Sequence, residues 1–210
     1  MTRLYDISQT LRADLPVWPG DTAFDIETTW HMSDDCPVLV SKLTLSTHSG
    51  THADAPSHYD PTGIDMAKTD LLPYLGPCSV VAAPMGDGPV TLEEILPRLP
   101  DNPQRLLIRT FDRFPHEHWP DGFRAIEASL IDHLAHQGCH LIGTDTPSLD
   151  PETSKTLDAH NAVQKAGMAI LEGLVLDAVP PGDYELIALP LKIQKADASP
   201  VRAILRSHAT

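Results

Sequence analysis

The chain has 210 residues and carries a formal net charge of −14 at pH 7. Its length predicts one domain over residues 1–210 with a sizeable core. The excess of acidic residues argues against binding to nucleic acid or to an anionic membrane surface, because both favour clusters of Lys and Arg. The chain lacks an apolar run long enough to span a bilayer, and its first residues lack an apolar signal core. We therefore expect a cytoplasmic protein.

The cysteines agree with that location. Cys36, Cys78 and Cys139 are scattered along the chain and form no C-x-x-C pattern. Such spacing is typical of free, buried thiols in a cytosolic protein rather than of disulfides or a cysteine metal site.

The chain begins with a predicted short strand over residues 4–8, followed by a loop at residues 15–21. Two prolines and a glycine make this loop rigid. Trp18 in the loop either covers a pocket and stacks on a flat substrate, or fills the core beneath the loop. The residues alone favour the core position.

Two strands are predicted next. Residues 24–30 alternate apolar and polar side chains, which predicts a half-buried strand. Residues 38–48 alternate in the same way, with His48 at the end. We expect these two strands to pair antiparallel.

The stretch from His48 to His58 holds three histidines and Asp54 among small and turn-forming residues. Imidazole and carboxylate are ligands that divalent ions such as Zn²⁺ prefer. In a flat strand His48 and His52 would lie about 13 Å apart, which is too far for bonds of about 2 Å to one ion. The chain must therefore bend near Gly50, where glycine permits it. We expect a strand that ends at His48, then a turn, then a loop that carries the other ligands.

The middle of the chain alternates strands and helices. A T-x-x-E capping box at Thr91 predicts a helix to about Leu99. The predicted strands are residues 78–83, 105–111 (central in the sheet) and 139–144, with a helix over residues 127–137 closed by Gly138. The loop of residues 143–147 is expected to line the same site as the histidines.

Two further polar residues stand out near the C-terminal end. A helix over residues 158–166 is predicted, capped by Asp158 and closed by Gly167, with His160 in its first turn. Glu172 lies in a predicted apolar strand over residues 168–176, where a carboxylate is costly unless it is paired or bound to metal. The last predicted strands are residues 184–193 and 201–205. This order of elements predicts an α/β fold with mixed sheets.

The stretch from His48 to His58 resembles the H-x-G-T-H-x-D-x-P-x-H signature of the cyclase family of metal-dependent amide hydrolases, and every fixed position matches. The resemblance extends to residues 18–21 and 74–78, and to His160 and Glu172, so it covers nearly the whole chain. It implies a swivelling β/β/α domain. It also implies a homodimer whose sites lie near the subunit interface.

The resemblance also implies two metal ions per subunit, expected to be Zn²⁺, with Mn²⁺ or Co²⁺ as possible substitutes. His48, His52 and Asp54 would hold the first ion. Asp54 would bridge to the second ion, and His160 and Glu172 would be the remaining ligands of that ion. His58 would be the catalytic acid and base, and Trp18 would face the substrate.

Within the family, the length and these segments favour members that hydrolyse N-formyl-L-kynurenine to L-kynurenine and formate in tryptophan catabolism, by metal-activated water. An alternative is hydrolysis of a cyclic amide such as isatin. For either substrate we expect Trp18, the loop after Gly143 and residues 66–74 to shape the pocket. A more distant alternative is a metal-binding protein without turnover. Closed structural zinc sites often use cysteines, however, and no cysteine lies near this motif.

Overall fold

The computed structural model describes residues 2–208. In chain order its strands are β1 (Leu4–Asp6), β2 (Asp25–Trp30), β3 (Val40–Thr44), β4 (His52–Asp54), β5 (Leu75–Ala82), β6 (Arg105–Arg109), β7 (Leu141–Thr144), β8 (Ala169–Glu172), β9 (Gly182–Ile187), β10 (Ala198–Pro200) and β11 (Ile204–Ser207). The α-helices are α1 (Leu92–Ile95), α2 (Ala128–His136) and α3 (Asp158–Ala166). Short 3₁₀ helices cover Pro56–His58, Met66–Lys68, Leu72–Tyr74 and Leu96–Arg98.

Within residues 2–208, nine strands form one mixed sheet in the order β1-β11-β9-β5-β6-β7-β8-β4-β10. Strands β5, β6, β7 and β8 pair in parallel, whereas the other neighbours pair antiparallel. The parallel strands are joined through α1, α2 and α3, as parallel connections require. The predicted α/β class with mixed sheets is confirmed.

The central strands are apolar on both faces because a core covers each face. Leu106 and Ile108 of β6 belong to one core cluster, with Leu130 and Ile131 of α2. Leu107, between them in sequence, points to the other face and joins the second cluster. Residues from β9 and β11 also belong to that second cluster, so the sheet curls to cover this face itself.

The predicted elements are largely present, with shifted ends. The capping box at Thr91 is formed, although α1 ends at Ile95 and continues as a 3₁₀ turn. Strand β6 is central, as predicted. Strand β10 was not predicted, because residues 198–200 are too short to show a repeating pattern.

Strands β2 and β3 pair antiparallel, as predicted, but they form a separate hairpin. The prediction that residues 24–30 are half-buried was wrong. Ile26 is 56% exposed and Trp30 is 59% exposed, and Leu43 on the paired strand is 53% exposed. The alternating pattern predicted a strand but not what covers its apolar face. In the described part of the chain, this face lies open to solvent.

Cys36, Cys78 and Cys139 are free, as predicted. Cys78 and Cys139 are buried, whereas Cys36 is half-buried, so the prediction of buried thiols was wrong for Cys36. Among the helices of residues 2–208, we find none with the length and apolar character needed to cross a membrane.

Candidate metal centre

The chain bends at Gly50, as the distance argument required. Gly50 adopts φ of +65°, which favours glycine. The predicted positions of the strand and the loop on either side of this bend were wrong, however. Strand β3 ends at Thr44, so His48 lies in the turn itself. His52 and Asp54 are on strand β4 rather than in a loop. The strand places both on one face because side chains alternate along it.

Strand register brings Glu172 to the same place. Strand β4 pairs with β8 so that His52 lies opposite Glu172. The end of β8 approaches the Gly50 turn closely because residue 173 is a glycine, with φ of +64°. A Cβ atom added at Gly173 would lie 2.5 Å from the Gly50 carbonyl oxygen. Any side chain at this position would therefore push the two ligand-bearing segments apart.

His160 comes from the first turn of α3, as predicted, but the helix is capped differently. Asp158 lies inside the helix, and the preceding residue, Leu157, has a left-handed φ of +52°. The carboxylate of Asp150 accepts the backbone N–H groups of Ala159 and His160, each at 3.0 Å. Asp150 therefore caps the helix from eight residues upstream of Asp158, a distance at which local sequence patterns give no signal.

The five predicted ligands converge: His48, His52, Asp54, His160 and Glu172. Asp54 lies at the centre, with its Oδ1 3.3 Å from His48 Nδ1 and 3.5 Å from His52 Nε2, and its Oδ2 3.4 Å from His160 Nε2. Glu172 lies 3.3 Å from His52 Nε2 and 3.6 Å from His160 Nε2. We call these five residues the floor.

The outward-facing nitrogen of each floor histidine faces an oxygen acceptor. His52 Nδ1 lies 2.9 Å from the Gly50 carbonyl oxygen, and His160 Nδ1 lies 2.6 Å from Asp150 Oδ2. His48 Nε2 lies 3.2 Å from Asp197 Oδ2. These acceptors favour hydrogen on the outward nitrogens and leave the inward nitrogens as lone-pair donors, the arrangement typical of metal-ligating histidines.

The floor fits a divalent cation. Both carboxylate oxygens of Asp54 and the Nε2 atoms of His52 and His160 are buried without a hydrogen-bond partner among the described residues. Leaving so many buried polar atoms unpaired is costly unless another group satisfies them. The donor atoms of His48, His52 and Asp54 lie within 4.8 Å of one another. Imidazole nitrogen and carboxylate oxygen at this separation are a donor set for Zn²⁺ and related ions.

The shifted pKa values of the floor residues also indicate that this site favours positive charge. Burial lowers the pKa of His48, but Asp54 and Asp197 outweigh it and raise that pKa to about 9. Burial likewise lowers the pKa of His160, whereas Asp150, Asp54 and Glu172 raise it to about 10. Burial raises the pKa of Asp54, but the neighbouring histidines hold it well below its usual range. A bound cation would supply the positive charge that these protons supply here.

His58 lies at the edge of the floor, in the 3₁₀ turn Pro56–His58, and its side chain is 33% exposed. Its ring centroid is 4.2 Å from that of His48 and 5.9 Å from that of His160. Burial lowers the pKa of His58, which keeps its imidazole neutral near pH 7. Its donor atom also lies within 4.8 Å of those of Asp54 and His160, so ligand distance alone does not separate His58 from the floor.

A cavity of about 310 Å³ opens above the floor. One side is aromatic, and we call it the wall: Trp18, Phe111, Phe114, His118 and Trp119. The rings of Trp18 and Trp119 meet edge to face, with centroids 5.5 Å apart. Trp18 therefore lines the cavity rather than filling the core, contrary to what its local sequence favoured.

Two other segments were expected to shape the pocket, and only one of them lines the cavity. Asp145 and Pro147, from the loop after Gly143, line the cavity, as predicted. Residues 66–74, in contrast, contribute no lining residue in the part of the chain that the structure describes. Residues 111–120 take that place. The aromatic residues of this segment follow no periodic pattern, so sequence patterning carried no signal of their position at the cavity.

Comparisons with known proteins identify the family of this chain. A sequence model of the family described as "putative cyclase" matches residues 5–151. Kynurenine formamidase of Maricaulis maris (strain MCS10) is 59% identical over 207 residues, covering 98% of this chain and 99% of that protein. Kynurenine formamidase of Sphingopyxis alaskensis (strain DSM 13593 / LMG 18877 / RB2256) is 52% identical over 209 residues, covering 100% of both.

Solved structures share the fold. A potential metal-dependent hydrolase with cyclase activity superposes with a TM-score of 0.84 at 24% identity, over 100% of both chains. Isatin hydrolase A from Labrenzia aggregata, bound to benzyl benzoate, also has a TM-score of 0.84, at 25% identity, over 99% of this chain and 94% of that one.

Proposed function

Because this chain belongs to the cyclase family, we propose that it is a metal-dependent arylformamidase that hydrolyses N-formyl-L-kynurenine to L-kynurenine and formate. One structural observation carries the proposal. Unpaired buried metal-type donors lie at the bottom of a cavity whose side is aromatic. The similarity to curated kynurenine formamidases over the full chain supports the substrate.

The floor residues would hold the metal. We propose two divalent ions, with His48, His52 and Asp54 at the first, and Asp54, His160 and Glu172 at the second. A cation held there would lower the pKa of a water molecule and polarise the formyl oxygen. Zn²⁺ suits this donor set, and Mn²⁺ or Co²⁺ would also be accepted by nitrogen and oxygen ligands.

His58 would carry the proton. Its imidazole is neutral and partly exposed to the cavity beside the floor, so it can take a proton from the attacking water. The water oxygen bonds to the formyl carbon, the C–N bond breaks, and the departing aryl amine receives the proton from His58. The second product leaves as formate after losing its proton to solvent.

The wall would bind the aryl group. Trp18 and Trp119 present flat apolar surfaces at the cavity, and Phe111 and Phe114 extend them. Aromatic contacts of this kind orient a ring so that its substituent points to the reacting groups. In this arrangement the formyl group of the substrate would reach the floor.

The direct test is formate release from N-formyl-L-kynurenine alongside metal analysis of the purified protein. We expect rapid release and about two equivalents of zinc per subunit. One equivalent would reject the two-ion site. Bound metal without formate release would instead favour a metal-binding protein without turnover.

A second candidate is hydrolysis of a cyclic amide such as isatin. The fold match to isatin hydrolase A is the observation that favours it. Rates on isatin and on N-formyl-L-kynurenine, measured with one preparation, separate the two. We expect the linear formamide to be the better substrate.

We further propose a homodimer, in which the β2–β3 hairpin is covered by the second subunit. Supporting this, Ile26, Trp30 and Leu43 are all more than half exposed, and neighbouring exposed apolar groups mark protein interfaces. Light scattering on the eluted protein measures its mass directly. A monomeric mass at micromolar concentration would reject the dimer.

A further inference from the structure

Asp197 is a polar residue beside the site for which neither the sequence motif nor the proposed reaction assigns a role. It lies after β9 and just before β10, far along the chain from the histidines. Its carboxylate faces two of them. Asp197 Oδ2 lies 3.2 Å from His48 Nε2 and 3.6 Å from His58 Nδ1.

The backbone holds Asp197 in place. Its carbonyl oxygen accepts the N–H of Ala55 at 2.8 Å, next to the pairing of Ala198 with Asp54. Two residues earlier, Lys195 adopts φ of +67°, and its N–H donates to Asp65 Oδ2 at 2.8 Å. These two hydrogen bonds therefore fix the position of the Asp197 backbone relative to His48 and His58.

The side chain is oriented as well. The hydroxyl of Thr47 donates to Asp197 Oδ1 at 2.8 Å, which leaves Oδ2 for the histidines. Because an ionised carboxylate only accepts hydrogen bonds, His48 must carry its hydrogen on Nε2 to make this bond. The Nδ1 atom of His48 is then the lone-pair donor that faces Asp54.

We propose that Asp197 is a positioning residue that fixes His48 as a metal donor through Nδ1 and aims the Nε2 atom of His58 at the reacting groups. The second part rests on the proposed function. With Nδ1 of His58 facing Asp197, its Nε2 takes the proton from water and passes it to the amine. Asp197 stays ionised throughout and stabilises the positive imidazole between the two transfers.

The donor atoms of Asp197, His48 and His58 also lie within 4.8 Å of one another, so a ligand role needs to be weighed. The bonding of the two carboxylates distinguishes them. Both oxygens of Asp54 are buried and unpaired, whereas both oxygens of Asp197 have hydrogen-bond partners, and its side chain is 47% exposed. These contacts favour an outer position for Asp197.

The test compares Asp197→Asn with Asp65→Asn, which makes the same chemical change in a residue that holds the same turn without facing either histidine. Four quantities are measured on each protein: kcat and KM for N-formyl-L-kynurenine, the Kd for Zn²⁺ by competition with a chromophoric chelator, and zinc stoichiometry. For Asp197→Asn we expect kcat to fall about 10- to 100-fold, KM to change less than about twofold, and Zn²⁺ to bind about tenfold more weakly. Asp65→Asn should leave all four close to wild type, because the asparagine oxygen can still accept the Lys195 N–H and keep the turn.

A double-mutant cycle tests the path through His58. Asp197→Asn should lower kcat much less in a His58→Ala background than in the wild type, because the residue through which it acts is already gone. Equal fold losses in the two backgrounds would overturn that part of the proposal. Thr47→Val, which keeps Asp197 but removes its orienting hydroxyl, should lower kcat about fivefold, and supplies the test if Asp197→Asn does not fold.

Three results would overturn the positioning role. The first is a kcat and a zinc affinity in Asp197→Asn that equal those of the wild type. The second is an equal loss of kcat and zinc affinity in Asp197→Asn and Asp65→Asn. The third is the loss of one zinc equivalent in Asp197→Asn, which would make Asp197 a ligand. If the wild type releases no formate, the proposed function fails. The zinc affinity of Asp197→Asn still tests the contact with His48 in that case.

Discussion

The floor and the wall of the cavity are built in different ways. Four of the five floor residues lie on strands or in the first turn of a helix, where strand register and helix capping hold them, and His48 lies in the turn before β4. Wall residues lie on loops. Trp18 is 36% exposed, and Trp119 is anchored by an Nε1–H bond of 3.2 Å to Glu152. Rigid elements hold groups precisely enough for chemistry, whereas loops change more readily. We therefore expect the floor to determine metal binding and turnover, and the wall to determine substrate preference.

The largest effect should come from Asp54→Asn at the centre of the floor. This change removes the charge that three histidines face. We expect kcat/KM to fall at least about a thousandfold, with loss of bound metal measured by elemental analysis. Added Zn²⁺ should raise the melting temperature of the wild type but not of the variant, because only a protein that binds the ion is stabilised by it.

Asp60→Asn is the matched control for that change. Asp60 lies outside the floor, where it is half-buried and accepts hydrogen bonds from Thr62 and from Gln164 of α3. It should retain both metal and activity. Full metal content in Asp54→Asn would show that the floor is not organised around this carboxylate.

His58→Ala should separate proton transfer from metal binding. General acid–base catalysis contributes about 10²- to 10⁴-fold, so we expect kcat to fall within that range. The metal content should stay near that of the wild type. Loss of metal in this variant would place His58 among the ligands, a position that its distance to Asp54 and His160 permits.

Asp150→Asn tests the contribution of the carboxylate that contacts the outward nitrogen of His160. Its carboxylate accepts from His160 Nδ1 at 2.6 Å and caps α3. Asparagine also caps helices well, so this variant mainly removes charge beside His160, and we expect Zn²⁺ affinity to fall about 10- to 100-fold. Asp150→Ala removes the cap as well and should cost a further 0.5–2 kcal/mol or so in the free energy of unfolding. Equal stability of the two variants would show that the cap contributes little.

Trp119→Ala tests the wall. Loss of an aromatic contact should raise KM for N-formyl-L-kynurenine about two- to tenfold, while metal content stays unchanged. Leu96→Ala, at an exposed apolar position outside the cavity, is the control and should leave KM unchanged. A fall in kcat with constant KM in Trp119→Ala would mean that the wall takes part in the chemistry.

The smallest effect on activity should come from Asp145→Asn, where the sheet meets the wall. Asp145 accepts the backbone N–H groups of Thr110 and Phe111, and burial raises its pKa to about 6 from an ordinary value of 3.8. Between these two pH values the folded protein holds a proton that the unfolded chain has released. This group's contribution to stability therefore falls as pH rises through the window, by at most about 1.4 kcal/mol per pH unit.

Urea unfolding of wild type and variant across this window measures that slope. The difference between their unfolding free energies should decline from about pH 4 to about pH 6 and then level off. A constant difference would mean that Asp145 is already ionised at the lower pH. Because Asp145 bonds to backbone groups of the wall, any change in activity should appear in KM.

The sequence by itself determined the α/β class, the core strands and the ligand types. Apolar runs such as Leu106–Ile108 have few stable positions other than a strand covered on both faces. The bend at Gly50 followed from bond lengths alone. The identity of the five floor residues came from their chemistry together with the resemblance to the cyclase family, and the structure brings all five together.

Only the tertiary structure decided how those residues are held. The pairing of His52 with Glu172, the capping of α3 by Asp150, and the placement of Asp197 over His48 join residues that are distant in the chain. Trp119 reaches the cavity from a loop without a periodic pattern. Periodicity and capping rules report on neighbours within a few positions, whereas these contacts depend on strand register and on which loops cover the sheet.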